Sequence, residues 1–404
     1  MVPRNLPQGA AIIGQSGGPT AVINQSLVGI VEGLKGFAPV KKIYGMRHGV
    51  DGLIKHLPLV DLTATTGDVL DRMARTPSAA LGSSRAKPTE ADGPKIFEAL
   101  KAADVRYFFY IGGNDSSDTC RIVYELSQKN GYELHCIHVP KTVDNDLMMN
   151  DHTPGFASAA RFVAMAFMAD DKDNASLPGI KINVVMGRNA GFLTAASALA
   201  RQSEHDGPHL IYLPEVPFDI DRFIEDVKAS VAQHGRCQIA VSEGIKDKEG
   251  VEIGAKLIAG EKDQHGNAQL SGSGALGDML ASLIKDRIKS PSGKAPRVRA
   301  DTLGYLQRCW PEPSPVDAAE ARAVGVKAAQ EAMTGLTDGS IALVRMSNHP
   351  YRIEKRVVKL QDVAAKTRHM PAEFIAGTNN VTKAFLEYAR PLVGDLPQMY
   401  RLPG

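Results

Sequence analysis

Cysteine is scarce in this chain of 404 residues: four only, at Cys120, Cys136, Cys237 and Cys309, with no C-x-x-C pair for zinc or redox work. Two of them, Cys136 and Cys237, sit in apolar strand-like runs, where a reduced buried thiol is the expected state. The eleven histidines show no H-E-x-x-H or other ligand spacing, so a histidine-based zinc site is not expected. Net charge is also small. At +2 it points to no nucleic-acid partner, and basic residues matter only in local clusters. No run of about 18 apolar residues could span a membrane, and Met1 to Leu6 lacks the apolar core of a signal peptide. A soluble cytoplasmic protein without a membrane partner is therefore expected. Solenoid-period repeats, low-complexity tracts and a Walker lysine pattern are absent too. What remains is an ordinary globular composition, 43% hydrophobic and 23% charged, long enough for two or more domains.

Short apolar runs alternate with helix-period segments. Ala10 to Ile13, Val40 to Tyr44, Tyr107 to Ile111, Leu134 to Val139, Ile180 to Met186, Leu210 to Leu213 and Cys237 to Val241 read as strands. Ala21 to Leu34 has helical spacing, and similar patterns lie between most of the strands. This alternation predicts an α/β fold with parallel sheets covered by helices on both faces. Asp151-His152-Thr153-Pro154-Gly155 is a breaker cluster and marks a boundary near residue 155. Lys246 to Gly274 reads as a surface excursion or hairpin, and Lys289 to Gly293 as a loop.

Chemistry concentrates at strand ends, where open α/β sheets bind ligands. Pro140-Lys141-Thr142-Val143-Asp144-Asn145-Asp146 follows a strand and carries a lysine, a hydroxyl and two carboxylates. A carboxylate there can accept a proton from a hydroxyl or hold magnesium, and the lysine can neutralise phosphate. Gly17-Gly18 lies between a strand and a helix, where bare N–H groups suit phosphate but a tight turn alone would also explain it. Gly112-Gly113-Asn114-Asp115-Ser116-Ser117 repeats the arrangement with more polar groups than a turn needs. Gly272 to Gly277 matches G-x-G-x-x-G, but no buried strand precedes it; it reads as the start of a helix over Asp278 to Lys285.

Together, Gly17-Gly18 with Asn24, Gly112 to Ser116 and Pro140 to Asp146 resemble the phosphofructokinase family. Val185 to Gly191, Pro214-Glu215, Ser242-Glu243-Gly244 and Arg299 through Arg308 follow in the family's order, so the resemblance covers about residues 10 to 320. It implies two Rossmann-like domains. The first is a diphosphate-binding domain, 1–155 joined by about 307–370; the second is a sugar-phosphate-binding domain, 156–306 joined by about 371–404. The sequence is similar to the pyrophosphate-dependent branch. ATP-using relatives carry glycine where this chain has Asp115 and Lys141, the first glycine leaving room for the α-phosphate. A carboxylate about 4 Å from that phosphate costs roughly 4 kcal/mol at an effective dielectric near 20. That is about three decades of binding.

The resemblance implies transfer of a phosphoryl group from pyrophosphate to the 1-hydroxyl of fructose 6-phosphate, with magnesium. On this reading Asp144 is the base, and Lys141, Gly17, Gly18, Gly113 and Arg85 hold the diphosphate. Asn114, Asp115 and Asp146 are the metal set. Thr142, Met186, Gly187 and Glu243 contact the sugar, Arg188 is a transition-state cation, and Arg299, Tyr305 and Arg308 clasp the 6-phosphate. A homodimer is also implied. Two departures stand out: most relatives have aspartate where Asn114 stands, and Pro19 replaces a first-turn aspartate. The effector site of bacterial ATP-dependent relatives is not recognisable, so strong allosteric control is not expected. An ATP-dependent sugar kinase is disfavoured by Asp115 and Lys141. A silent phosphosugar-binding subunit is disfavoured by Asp144, Asp146 and Arg188 together.

Overall fold

The computed structural model describes residues 6–89, 91–254, 274–289 and 293–400. The strands of its two large sheets are, in chain order, β1 (Gly9–Gln15), β2 (Val40–Met46), β3 (Val60–Asp61), β4 (Val105–Gly112), β5 (His135–Pro140), β6 (Ile180–Val185), β7 (Leu210–Tyr212), β8 (Cys237–Ser242), β9 (Val298–Thr302), β10 (Asp338–Asn348) and β11 (Tyr351–Val358). The chain divides into two compact units. One comprises Met1–Val143, Leu147–Ser158 and Arg308–Arg368; the other comprises Asp144–Asp146, Ala159–Gln307 and His369–Gly404.

The first unit is built on a seven-stranded sheet in the order β11-β10-β5-β4-β1-β2-β3. Its central pairs are parallel, and the edge strands β3 and β11 are antiparallel to their neighbours. Because side chains alternate across a strand, β4 feeds two cores at once. Tyr107, Phe109 and Ile111 pack with Leu27, Val31 and Ala328 on one face. Phe108 and Tyr110 pack with Leu100, Cys120 and Val123 on the other. The helices Ile23–Leu34 and Pro315–Met333 cross backbone to backbone: a Cβ on Gly29 would lie 2.1 Å from the Arg322 carbonyl oxygen.

The second unit has a four-stranded, all-parallel sheet in the order β7-β8-β6-β9. Ile180, Ile182, Ile239 and Val241 pack there against Phe223, Val227, Leu280 and Ile284 of flanking helices. The α/β architecture with largely parallel sheets is thus as the alternation predicts. The strands read from apolar runs are present with ends shifted by a residue or two. Four further strands, the two-residue β3 and β9 to β11, escape that reading. In β9 and β11 charged residues occupy exposed alternate positions. The apolar stretch of β10, Ile341 to Val344, continues into the polar Arg345–Asn348.

The excursion after Lys246 begins as a hairpin, with an antiparallel bridge from Lys246 to Glu252. Its remainder, residues 255–273, lies outside the described residues, as do Gly272 and Ser273 of the G-x-G-x-x-G match and residues 290–292 of the later loop. The helix predicted from Asp278 starts at Ala275. All four cysteines are free, and Cys120, Cys136 and Cys237 are buried. No described helix is long and apolar enough to cross a membrane.

Candidate active site

At the end of β1 the chain turns through Gly17, whose φ of +76° is a left-handed conformation suited to glycine. Lys141, nearly fully buried, reaches back from the end of β5 and donates from Nζ to the Gly18 carbonyl at 2.7 Å. A Cβ on Gly18 would sit 2.9 Å from Arg308 Cζ, so glycine lets that guanidinium lie on the backbone. The Gly17 N–H donates to the Ser84 carbonyl at 2.8 Å, and Ser83 Oγ donates to the Gly17 carbonyl at 2.5 Å. This lacing brings Arg85 to the same turn. Behind it, Asn24 Oδ1 accepts from Gln15 Nε2 and from the Ala80 N–H, which fixes where the segment enters.

The second glycine turn joins β4 to the helix Asn114–Lys129, with Gly113 at the N-cap and Asp115 in the first turn. Helix N-termini favour anions, and no side chain caps this one. The Gly112 carbonyl accepts two bonds, from the Lys141 N–H at 3.0 Å and from His138 Nε2 at 2.9 Å. A carbonyl only accepts, so Nε2 carries the proton and Nδ1 accepts from Ser340 Oγ at 2.8 Å. Burial drives the His138 pKa down to about 4, which keeps the ring neutral. His138 is missing from the sequence-derived set. Its one signal was a polar residue inside a strand that is buried along its whole length.

From β5 the chain enters Lys141-Thr142. The Thr142 N–H donates to the Pro154 carbonyl at 3.2 Å, and its own carbonyl accepts from Thr153 Oγ1 at 2.8 Å. Asp317 secures that segment, accepting from the Gly155 N–H at 2.9 Å and from Ser158 Oγ at 2.5 Å. In the second unit Asn145 adopts φ +60° and is fully buried, donating from Nδ2 to Tyr388 Oη at 2.8 Å. Asn tolerates this conformation better than most residues. On either side of that anchor Asp144 and Asp146 stay partly exposed, so both carboxylates can meet a ligand.

The second unit places Met186-Gly187-Arg188 at the end of β6. Gly187 has φ +130°, and its carbonyl accepts from Ser242 Oγ at 2.6 Å. Glu243, at the end of β8, is buried and accepts from the Gly187 N–H at 3.4 Å. A Cβ on Gly244 would fall 2.0 Å from the Arg188 carbonyl oxygen, so the two strand-end loops touch backbone to backbone. The Met186 N–H donates to Gln307 Oε1 at 3.2 Å. Glu215 closes the loop, accepting from the Gly191 N–H at 2.9 Å; burial raises its pKa.

Two cations of the second unit have well-defined surroundings. Arg188 is gripped by Glu252 through a two-pronged pair, Nε to Oε1 at 2.8 Å and Nη2 to Oε2 at 2.7 Å. Arg299 is the second residue of β9, beside Lys181 near the start of β6, whereas Gly187 and Glu243 follow the opposite strand ends. At about 3.3 Å per residue, the three residues from Arg299 to Thr302 span about 10 Å. Within the second unit, Arg299 is therefore set back along its strand from the end that leads to Tyr305. Arg308 lies on Gly18 in the first unit, and Tyr305 is half exposed.

Among the described residues no three His, Cys, Asp or Glu side chains converge as a dedicated metal cage. Magnesium does not require one. It is commonly held by one or two carboxylates, waters and substrate phosphates.

Phosphate-suited glycine turns at the ends of parallel strands, with a buried lysine and a pair of aspartates, define a phosphoryl-transfer protein. The phosphofructokinase family model matches residues 10–332, and the chain belongs to that family. It is 54% identical over 399 residues to a pyrophosphate–fructose 6-phosphate 1-phosphotransferase of Rhodospirillum rubrum, covering 98% of this chain and 97% of the relative. It is 37% identical to the Methylococcus capsulatus protein of the same name, covering 95% and 91%. Among solved structures, the pyrophosphate-dependent phosphofructokinase of Nitrosospira multiformis superposes with a TM-score of 0.84 at 33% identity, over 97% of this chain and 94% of that one.

Proposed function

We propose that this protein transfers a phosphoryl group from pyrophosphate to the 1-hydroxyl of fructose 6-phosphate, giving fructose 1,6-bisphosphate and phosphate in glycolysis, and in reverse when the products accumulate. The observation that carries this reading is the buried Lys141 ammonium on the Gly18 carbonyl, in a chain that also has Asp115 at the second glycine turn. Names of relatives at 37–54% identity over nearly the whole chain support it. An ATP-dependent kinase would have to place its α-phosphate against a carboxylate, at the cost of about three decades of binding.

In this mechanism the first unit binds the diphosphate and the second the sugar phosphate. Asp144 accepts the proton of the 1-hydroxyl as its oxygen attacks the near phosphorus in line. Lys141, Arg85 and the N–H groups of Gly17, Gly18 and Gly113 hold the phosphates, and Lys141 takes up charge on the departing one. Arg308, with Arg299 and Tyr305, holds the sugar 6-phosphate. Thr142, Met186, Gly187 and Glu243 orient the sugar, and Arg188 meets the transferring group. Magnesium would be held by Asp115 and Asp146 with Asn114, and when bound it neutralises phosphoryl oxygens. A cytoplasmic homodimer goes with this reading.

Purified protein supplied with pyrophosphate, fructose 6-phosphate and magnesium should form fructose 1,6-bisphosphate and phosphate in equal amounts. A chelator should stop the reaction. No product under these conditions would overturn the reading.

A further inference from the structure

Residues 82–89 form an arch in the first unit that is tied down at two places. At its start, Ser83 and Ser84 bond to both backbone groups of Gly17. Farther on, Lys87 Nζ meets Asp118 Oδ2 at 2.8 Å. Asp118 lies on the helix Asn114–Lys129, three residues after Asp115, so the two carboxylates share a face of the helix start. The arch thus joins the two glycine turns that wall the donor site, with Arg85 between its anchors. The Ala86 N–H donates to Ser84 Oγ at 2.9 Å and tightens the span.

The charges in this arch need explaining. A donor site for a polyanion should not open on two carboxylates. Asp118, whose side chain is 7% exposed, is shared by Lys87 and by Arg121, the latter at 2.7 Å. Burial pushes the Asp118 carboxyl up, but Lys87 and Arg121 outweigh it and hold it below its usual range. The Lys87 ammonium is stabilised chiefly by Asp118 and also feels Asp115. Its side chain is 47% exposed, so it can approach a ligand without leaving a buried hole. An ordinary surface ion pair contributes little. This one lies on the same helix start as Asp115, the residue that decides the donor.

We propose that Lys87 is a further donor-binding and specificity residue, its ammonium held by Asp118 beside Asp115 to offset both carboxylates and engage pyrophosphate. The inference rests on the donor reading above. On this reading Lys87 supplies part of the attraction that a diphosphate, which has no nucleotide handle, needs at a turn that also carries Asp115.

The test is steady-state kinetics of the full chain with Lys87→Gln and Lys87→Arg, varying pyrophosphate and fructose 6-phosphate separately. Lys87→Gln should raise KM for pyrophosphate about tenfold, the loss of one charge-assisted contact. KM for fructose 6-phosphate and kcat should stay within about threefold, as for a contact on one substrate only. Lys87→Arg should recover most of the loss, and added salt should narrow the gap between wild type and Lys87→Gln. An unchanged pyrophosphate KM, or an equal rise in both KM values, would reduce Lys87 to a packing role and overturn the proposal. A wild-type protein that ignores pyrophosphate would instead overturn the donor reading, and this inference with it.

Discussion

In the first unit the groups assigned to pyrophosphate are already laced together: Lys141 on the Gly18 carbonyl, and the Arg85 arch bonded to Gly17. In the second unit the loop backbones are equally well laced, but the cations are not gathered. Arg188 is occupied by Glu252, and Arg299 stands at the far end of its strand. The contrast follows from the substrates. Pyrophosphate is small and has no second handle, so its affinity must come from contacts fixed in advance, with little ordering left to do on binding. A sugar phosphate brings hydroxyls and a phosphate that can compete for a cation already paired.

The sharpest way to break this comparison is at the base proposed in the second unit. Asp144→Ser should lower kcat by roughly 10²–10⁴-fold. Calorimetry should still show fructose 6-phosphate binding. Activity within tenfold of wild type would remove Asp144 from the role. Next comes the second unit's cation. Arg188→Ala should cost about 10²–10³ in kcat, as for a lost charge-stabilising donor. Glu252→Gln should stay within about threefold, because the substrate takes over the guanidinium. Equal losses in the two variants would mean that Glu252 positions Arg188 and that the sugar half is preorganised as well.

A smaller effect is expected behind the donor half. His138→Ala leaves the Gly112 carbonyl and the Ser340 hydroxyl each short of a partner, at about 1–3 kcal/mol of stability. His138→Gln keeps a donor for Gly112 and should recover part of it in chemical denaturation. The mildest test reads pH. His152 is fully buried between Asp151 at 2.8 Å and Glu320 at 2.6 Å. Burial alone would lower its pKa, but the two carboxylates raise it to about 9. A raised histidine stabilises most below its unfolded value near 6.5 and loses that contribution as pH rises through about 9. The melting temperature of wild type should therefore fall between pH 6.5 and 9.5 by more than that of His152→Gln. Parallel curves would contradict the assignment.

Much of this was legible in the chain itself, for definable reasons. Buried parallel strands such as β4 are apolar on both faces, and glycine turns at their ends announce themselves by composition. Edge strands like β11 hide because Arg352, Glu354 and Arg356 alternate toward solvent. The site's residue types were readable from the order of short motifs, whereas their partners were not. Glu252 meets Arg188 from 64 positions away, and Ser340 meets His138 from 202 away. No local pattern records a contact of that separation. The place of Arg299 along its sheet was hidden likewise, because strand order and register, not spacing, decide which end a residue occupies.

The central claim is that Asp115 and Lys141 commit the chain to pyrophosphate. The most direct measurement compares kcat/KM for pyrophosphate and for ATP with saturating fructose 6-phosphate. Wild type should prefer pyrophosphate by about 10³-fold or more, the carboxylate penalty alone supplying nearly that much. In Asp115→Gly with Lys141→Gly, pyrophosphate use should collapse. Comparable rates with ATP in wild type, or undiminished pyrophosphate turnover in the double variant, would contradict it.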